Sequence, residues 1–258
     1  MKHFISEFFK RLGLFVISFF VLGWLLQNLA ENGFSICIIF ASLITYFYFD
    51  RKKWSIGLKL NGLFCDLIKG LYGGCISLLA IFTIAYLFEG HKITEFAFDW
   101  TVFVTWTVFC IIAVLGEEIL IRGYIYGILK YKFGALASSL ISSGLFAAFH
   151  FTRLGIDFLS ITTLFLAGVW YAQLREKSGA IWVSCGFHFA WNYTSGLLGI
   201  WRDKTILLTT ELSQQTLING GEYGIEGSVF SVMTFLSFVV FTYVKSYRTN
   251  ELRIQMKR

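Results

Sequence analysis

Proline does not occur anywhere in the 258 residues. Its absence removes the commonest cause of kinks and stops, so any irregularity in a helix must come from Gly or Ser. Charge is scarce too. Asp, Glu, Lys and Arg make up 15% of the chain, against roughly 25% in a soluble domain. The five cysteines (Cys37, Cys65, Cys75, Cys110, Cys185) form no CxxC pair and no metal-ligand spacing. Most sit in apolar runs, where a thiol acts as a small hydrophobe, so no disulfide is expected. Internal repeats and low-complexity tracts are also lacking.

Apolar side chains are abundant instead. Hydrophobic residues reach 56% and aromatics 19%, more than a soluble fold of this length can keep from water. A bilayer core about 30 Å thick needs about 20 apolar residues of helix. Eight candidate spans meet or approach that length: Leu12–Ala30, Phe34–Phe49, Gly70–Phe88, Phe103–Ile128, Ala135–Phe151, Phe158–Leu174, Ala180–Ile200 and Val229–Val244. The second and last are short. The first has too long an apolar region for a cleavable signal peptide and no small-x-small site after it.

With the N-terminus inside, 17 of the 22 Lys and Arg fall on the inner side. The outer loops hold Lys92, Arg153, Arg202 and Lys204, and Arg122 lies within a span. This bias supports an even number of spans with both termini cytoplasmic. The net charge of +6 is therefore a topology signal, and no nucleic-acid partner is expected. Asp50 to Lys69 mixes Lys with Leu, Ile, Trp and Phe and reads as an amphipathic helix on the inner surface. Trp201–Gly227 is the longest polar loop and falls outside.

Ionisable groups inside spans are costly and mark protein interiors or wet cavities. The fourth span holds Glu117-Glu118-Ile119-Leu120-Ile121-Arg122. Glu118 and Arg122 are spaced i, i+4 and can pair on one face. Glu117 lies about 100° around the helix and points elsewhere. The fifth span ends Phe146-Ala147-Ala148-Phe149-His150, and the seventh carries His188-Phe189-Ala190-Trp191-Asn192, again i, i+4. From a turn near Lys132-Phe133, Glu117 and His150 both lie roughly 25 Å deep, and His188 lies roughly 16 Å from the turn near Lys177. Tilt and loop length absorb the difference, so all three can meet.

Such a set suits amide hydrolysis. That reaction needs an activated water, a stabilised oxyanion and a proton for the leaving amine. A carboxylate beside a second carboxylate can serve as general base. Histidine shuttles protons near neutral pH, and an Asn amide is a fixed oxyanion donor.

The three motifs, Glu117-Glu118-x-x-x-Arg122, Phe146-x-x-x-His150 and His188-x-x-x-Asn192, resemble in order those of the CAAX protease and bacteriocin-processing (CPBP, or Abi) family of intramembrane endopeptidases. Ser178-Gly179-Ala180-Ile181 resembles the family's entry to its last motif. The resemblance covers roughly Phe103–Ile200. It implies that Glu117 activates water with help from His150, that His188 and Asn192 bind the oxyanion, and that Glu118, Arg122 and Phe146 order the site. The family has been discussed both as metal enzymes and as glutamate proteases. No HExxH occurs, so no cofactor is expected. If zinc is used, its ligands would be Glu117, His150 and His188.

Blander readings attach to several of these residues. Glu118 and Arg122 suit an intrahelical pair, Phe146 packs beside His150, and Asn192 can glue helices. Gly123 and Gly127 form GxxxG, which usually marks close helix packing. Three other functions compete: an ion- or proton-coupled transporter, a haem protein ligated by His150 and His188, and a non-catalytic binding, regulatory or immunity protein. The haem reading leaves both glutamates unexplained. The expectation is an all-α, polytopic transmembrane bundle of about eight spans. It forms one integral membrane domain over residues 1–258, with a four-helix catalytic core over 103–200. It would sit in the plasma membrane, with the lipid bilayer and a membrane-associated peptide or protein substrate as partners.

Overall fold

The computed structural model describes residues 2–27, 32–88, 91–200, 206–212 and 217–255. Arg202, Lys204, Lys257, Arg258 and the expected end of the first span at Ala30 lie outside them. Eight α-helices occur among the described residues: α1 (Lys2–Leu25), α2 (Gly33–Phe49), α3 (Leu63–Leu87), α4 (Trp100–Glu118), α5 (Tyr126–Ala148), α6 (Phe158–Ser178), α7 (Trp182–Leu197) and α8 (Val229–Gln255). The expected spans overlap these helices, the fourth running from α4 into the start of α5, but fewer stretches than the eight expected have the length and apolarity to span. Four stretches are long and apolar enough to cross a membrane, namely Ser6–Leu25, Leu63–Leu87, Trp100–Ala148 and Val229–Ser246. Their outer faces carry large side chains such as Phe20, Trp24, Tyr72, Val104 and Phe241 in the open. That surface requires lipid and not water.

The all-α expectation needs one correction. Strand β1 (His91–Phe96) pairs antiparallel with β2 (Leu208–Leu212), with a register shift between Ile93 and Glu95. Ile93 and Thr94 are β-branched and Phe96 is aromatic, residue types that favour a strand.

A second correction concerns residues 50–69. No amphipathic helix forms there. The chain runs as turns from Asp50 to Gly62, and α3 begins only at Leu63. Gly57 adopts φ +90°, a conformation that ends helices and suits only glycine well. Two of the loop's apolar residues, Trp54 and Ile56, turn inward. Ile56 is buried against Gly123, and the Trp54 ring lies where a side chain on Gly127 would stand. So this GxxxG pair admits a loop and not a helix. The loop is further held by Arg175 Nη2 donating to the Ser55 carbonyl at 2.7 Å and by the Ile181 amide donating to the Gly57 carbonyl at 3.1 Å.

Between α4 and α5 the helix widens into a π-helix, Ile119–Ile125, in which the Tyr126 amide reaches back to the Ile121 carbonyl. Six of its seven residues, from Ile119 to Tyr124, are buried. Helix α5 then breaks at Gly134 (φ 81°, ψ 173°). The break lies beside the expected turn and reverses the chain, so that Ala135–Ala148 runs back toward the depth of Glu117.

Helix α7, which carries His188, is fixed by α3. Gly70 and Gly74 on α3 sit against the Val183 and Phe187 backbone, and Gly186 sits against the Leu67 carbonyl. Small residues let the two backbones touch, which gives membrane helices van der Waals contact where lipid supplies no hydrophobic drive. Around this seam packs a core of Leu78, Phe82, Tyr171, Phe187, Trp191, Ile225 and Phe235.

Two glycine variants test this seam. Gly74→Val should destabilise the protein by about 1–3 kcal/mol through overpacking. Gly144→Ala, where an added Cβ meets nothing within 4 Å, should leave stability unchanged or raise it by up to about 1 kcal/mol. Thermal unfolding of both in detergent reads the difference.

Candidate active site

The site begins with a buried charge. Glu118 is fully buried, and its Oε1 lies 3.2 Å from Arg122 Nη1 and 3.1 Å from His188 Nδ1. A carboxylate in an apolar interior needs such partners, because unpaired it would cost several kcal/mol. Arg122 is equally enclosed. Its guanidinium carbon stands 4.1 Å from the Phe146 ring centre and 4.9 Å from that of Tyr171. Both distances suit cation–π contact in a desolvated setting.

The same two rings hold the imidazole. Tyr171 stacks on His188 with ring centres 5.6 Å apart and planes inclined by 27°, and Phe146 meets it edge-on at 5.8 Å. With Nδ1–H donating to Glu118, the other ring nitrogen is fixed toward Glu117. His188 Nε2 lies 3.7 Å from Glu117 Oε2. That is too long for a hydrogen bond. Glu117 Oε2 has no hydrogen-bond partner among the described residues, so it keeps an acceptor for a water or a substrate group.

Phe146 also orders the second histidine. His150 follows the end of α5, and its Nδ1–H donates to the Phe146 carbonyl at 2.9 Å. This bond leaves Nε2 as the ring's acceptor. The rings of Phe146 and His150 meet edge-on at 4.9 Å. Asn192 lies one turn beyond His188 on α7.

Glu117, His150, His188 and Asn192 all line one cavity of about 410 Å³, between α2, α4, α5, α6 and α7. Phe34, Ile38, Leu120, Phe149 and Leu164 form its apolar walls. Helix α2 comes this near because Gly116 has no side chain, and a Cβ there would stand 3.1 Å from the Ser35 carbonyl oxygen. The structure thus gathers the four residues expected to be catalytic on one space, with Phe146 also lining it and Glu118 and Arg122 behind them. Among the described residues no three His, Cys, Asp or Glu side chains are grouped so as to hold a metal ion.

Four further residues belong to the site and were not singled out from the sequence. Tyr171 looks like any aromatic in a span. Trp191 lies within the His188 motif, and its Nε1–H donates to Glu226 Oε1 at 2.9 Å. Arg153 Nη1 lies 3.4 Å from Glu226 Oε2 and from the Tyr223 hydroxyl. Glu226 comes from the polar loop after β2, and its only sequence signal is the cluster Gly220, Gly221, Gly224 and Gly227, which folds into two tight turns. These turns close one end of the cavity. Burial alone would push the Arg153 guanidinium down; Glu226, followed by Tyr223, more than offsets this, so it stands above its ordinary range. Burial, with Glu226 adding to it, raises the Tyr223 phenol.

The cage around Glu118 makes a sharp prediction. Arg122→Met should cost about 3–5 kcal/mol, because it strands a buried carboxylate. Adding Glu118→Gln should restore a large part of that loss. Unfolding of the two single variants and the double variant, read as a double-mutant cycle, measures the coupling.

Residues 99–194 match the model of a family described as type II CAAX prenyl endopeptidase, Rce1-like. No curated protein matches the chain. The matched segment contains α4, the π-helix, α5, α6 and nearly all of α7, and with them every residue of the three motifs. The stretch that builds this cavity is thus similar to the type II CAAX prenyl endopeptidase, Rce1-like family.

Proposed function

We propose that this integral membrane protein is an endopeptidase that cleaves a membrane-associated peptide or protein within the bilayer, with Glu117 as general base. The observation that carries the reading is the convergence of Glu117, His150, His188 and Asn192 from α4, α5 and α7 on one cavity. A purely structural polar cluster has no need of an empty space, nor of a carboxylate oxygen without a partner.

The chemistry follows from the groups present. Glu117 takes a proton from a water held in the cavity, and His150 Nε2 accepts a hydrogen bond from the same water. The resulting hydroxide adds to the amide carbonyl carbon. Negative charge moves onto the carbonyl oxygen, where the Asn192 amide and His188 Nε2–H donate to it. Glu117 then passes its proton to the departing nitrogen, and the C–N bond breaks. Water has been added across the bond, with hydroxyl on the carbonyl and hydrogen on the amine.

For His188 to donate from Nε2 it must carry protons on both ring nitrogens. Glu118 faces Nδ1 and Glu117 faces Nε2, so each ring nitrogen has a carboxylate toward which an N–H can point. Glu118 and Arg122 act through His188 and are positioning residues. The reading needs no metal. It places the protein in the cell membrane with both termini cytoplasmic, in accord with the charge bias along the chain.

The test is cleavage of a membrane-peptide library by purified protein in lipid. Glu117→Gln should reduce the rate about 10²–10⁴-fold, the range for a lost general base, with stability unchanged. Asn192→Ala should lower kcat about 10²–10³-fold with KM nearly unchanged, as for an oxyanion donor. Chelator should have no effect. Cleavage that survives Glu117→Gln, or that chelator abolishes and zinc restores, would overturn the mechanism. No cleavage by folded wild-type protein would favour the binding or regulatory reading.

A further inference from the structure

A second cavity, of about 630 Å³, opens between α5, α6 and α8, away from the catalytic one. Neither the peptidase chemistry nor the family match accounts for it. Helix α8 lies wholly beyond residues 99–194, so this space is built partly by a helix outside the matched segment.

Its lining is divided by chemistry. Toward lipid it shows Leu136, Leu140 and Tyr243, all of them exposed. At its mouth stand the ammonium groups of Lys177, on the last turn of α6, and Lys245, on α8. Among the described residues that line it the one carboxylate, Glu176, is engaged by Lys130 Nζ at 2.6 Å and the Tyr126 hydroxyl at 2.7 Å. Inside lies Ser139, about nine-tenths buried, whose hydroxyl has no hydrogen-bond partner among the described residues. Gln173 adds a second unmatched group. Its amide nitrogen donates to the Val239 carbonyl at 3.4 Å, while its Oε1 is buried with no partner among the described residues. Buried polar groups left unmatched point to a ligand that is not part of the chain.

The position narrows the ligand. Lys177 and Lys245 lie at the basic end of the bundle, with Lys59, Lys130 and Arg175 around the neighbouring loop. Basic pockets between membrane helices at such an end suit phospholipid headgroups. A soluble anion would use the lysines but leave the exposed Leu136–Leu140 wall without a role.

We propose that the groove between α5, α6 and α8 binds an anionic phospholipid. Lys177 and Lys245 pair with its phosphate. Ser139 and Gln173 exchange hydrogen bonds with hydroxyl or ester oxygens of the headgroup and glycerol. An acyl chain lies along Leu136 and Leu140. Helix α8 is thereby fastened to α6, and α6 carries Tyr171, which stacks on His188. The binding itself does not depend on catalysis.

Native mass spectrometry of the detergent-purified full chain tests this, with phosphatidylglycerol, phosphatidylcholine and inorganic phosphate as separate titrants. Phosphatidylglycerol should bind in preference to phosphatidylcholine. Lys177→Gln/Lys245→Gln, a surface change that leaves the fold intact, should weaken it about 30-fold, at about 1 kcal/mol for each charge removed. Inorganic phosphate should not compete. Equal binding of the two lipids, unchanged binding by the double variant, or displacement by inorganic phosphate would each overturn the proposal.

Discussion

One buried carboxylate organises this protein. Glu118 has no route to water, so it must be neutralised where it stands, and Arg122 and His188 do so from two different helices. That requirement fixes the rest of the site. Arg122 in turn needs the faces of Phe146 and Tyr171, and the same two rings clamp His188. Phe146 also supplies the carbonyl that orients His150. Helices α4 to α7 are therefore tied together by a single network, and the cavity is what remains beside it. Buried ion pairs of this kind contribute little net stability, but removing one member is costly. Their use here is to fix which ring nitrogen meets the cavity.

The absence of proline gives this network a particular form. The chain bends where its geometry widens or where glycine allows it. The π-helix after Glu118 surrounds Arg122 with protein on every side, and π turns often accompany functional sites. Gly134 then reverses the chain so that His150 returns to the level of Glu117. The π-helix places Arg122 within the membrane while its backbone groups stay bonded within the helix, as the Tyr126 amide to the Ile121 carbonyl, which a membrane interior requires.

How much of this could be read from the sequence depended on range. Glu118 with Arg122, and His188 with Asn192, were legible because i, i+4 spacing dictates a shared face. The reversal near Lys132 was legible from charge and composition. The bond from His188 to Glu118 spans 70 residues of chain, and no local pattern encodes it. Asp50 to Gly62 misled because Trp54 and Ile56 resemble the apolar stripe of a surface helix. They are anchors instead, seated on Gly123 and Gly127, and local periodicity does not separate the two. Glu226 lay hidden in a polar loop, since its role depends on a turn that meets Trp191 and Arg153 only in three dimensions.

The central claim is that Glu117 activates water and does not itself attack the peptide bond. Single-turnover cleavage in ¹⁸O-labelled water, with the products and the protein analysed by mass spectrometry, tests it most directly. One ¹⁸O in the new C-terminal carboxylate, with none in Glu117, is the predicted result. Label in the Glu117 side chain, with the product carrying only unlabelled oxygen, would mean that an acyl-enzyme forms and would contradict the account.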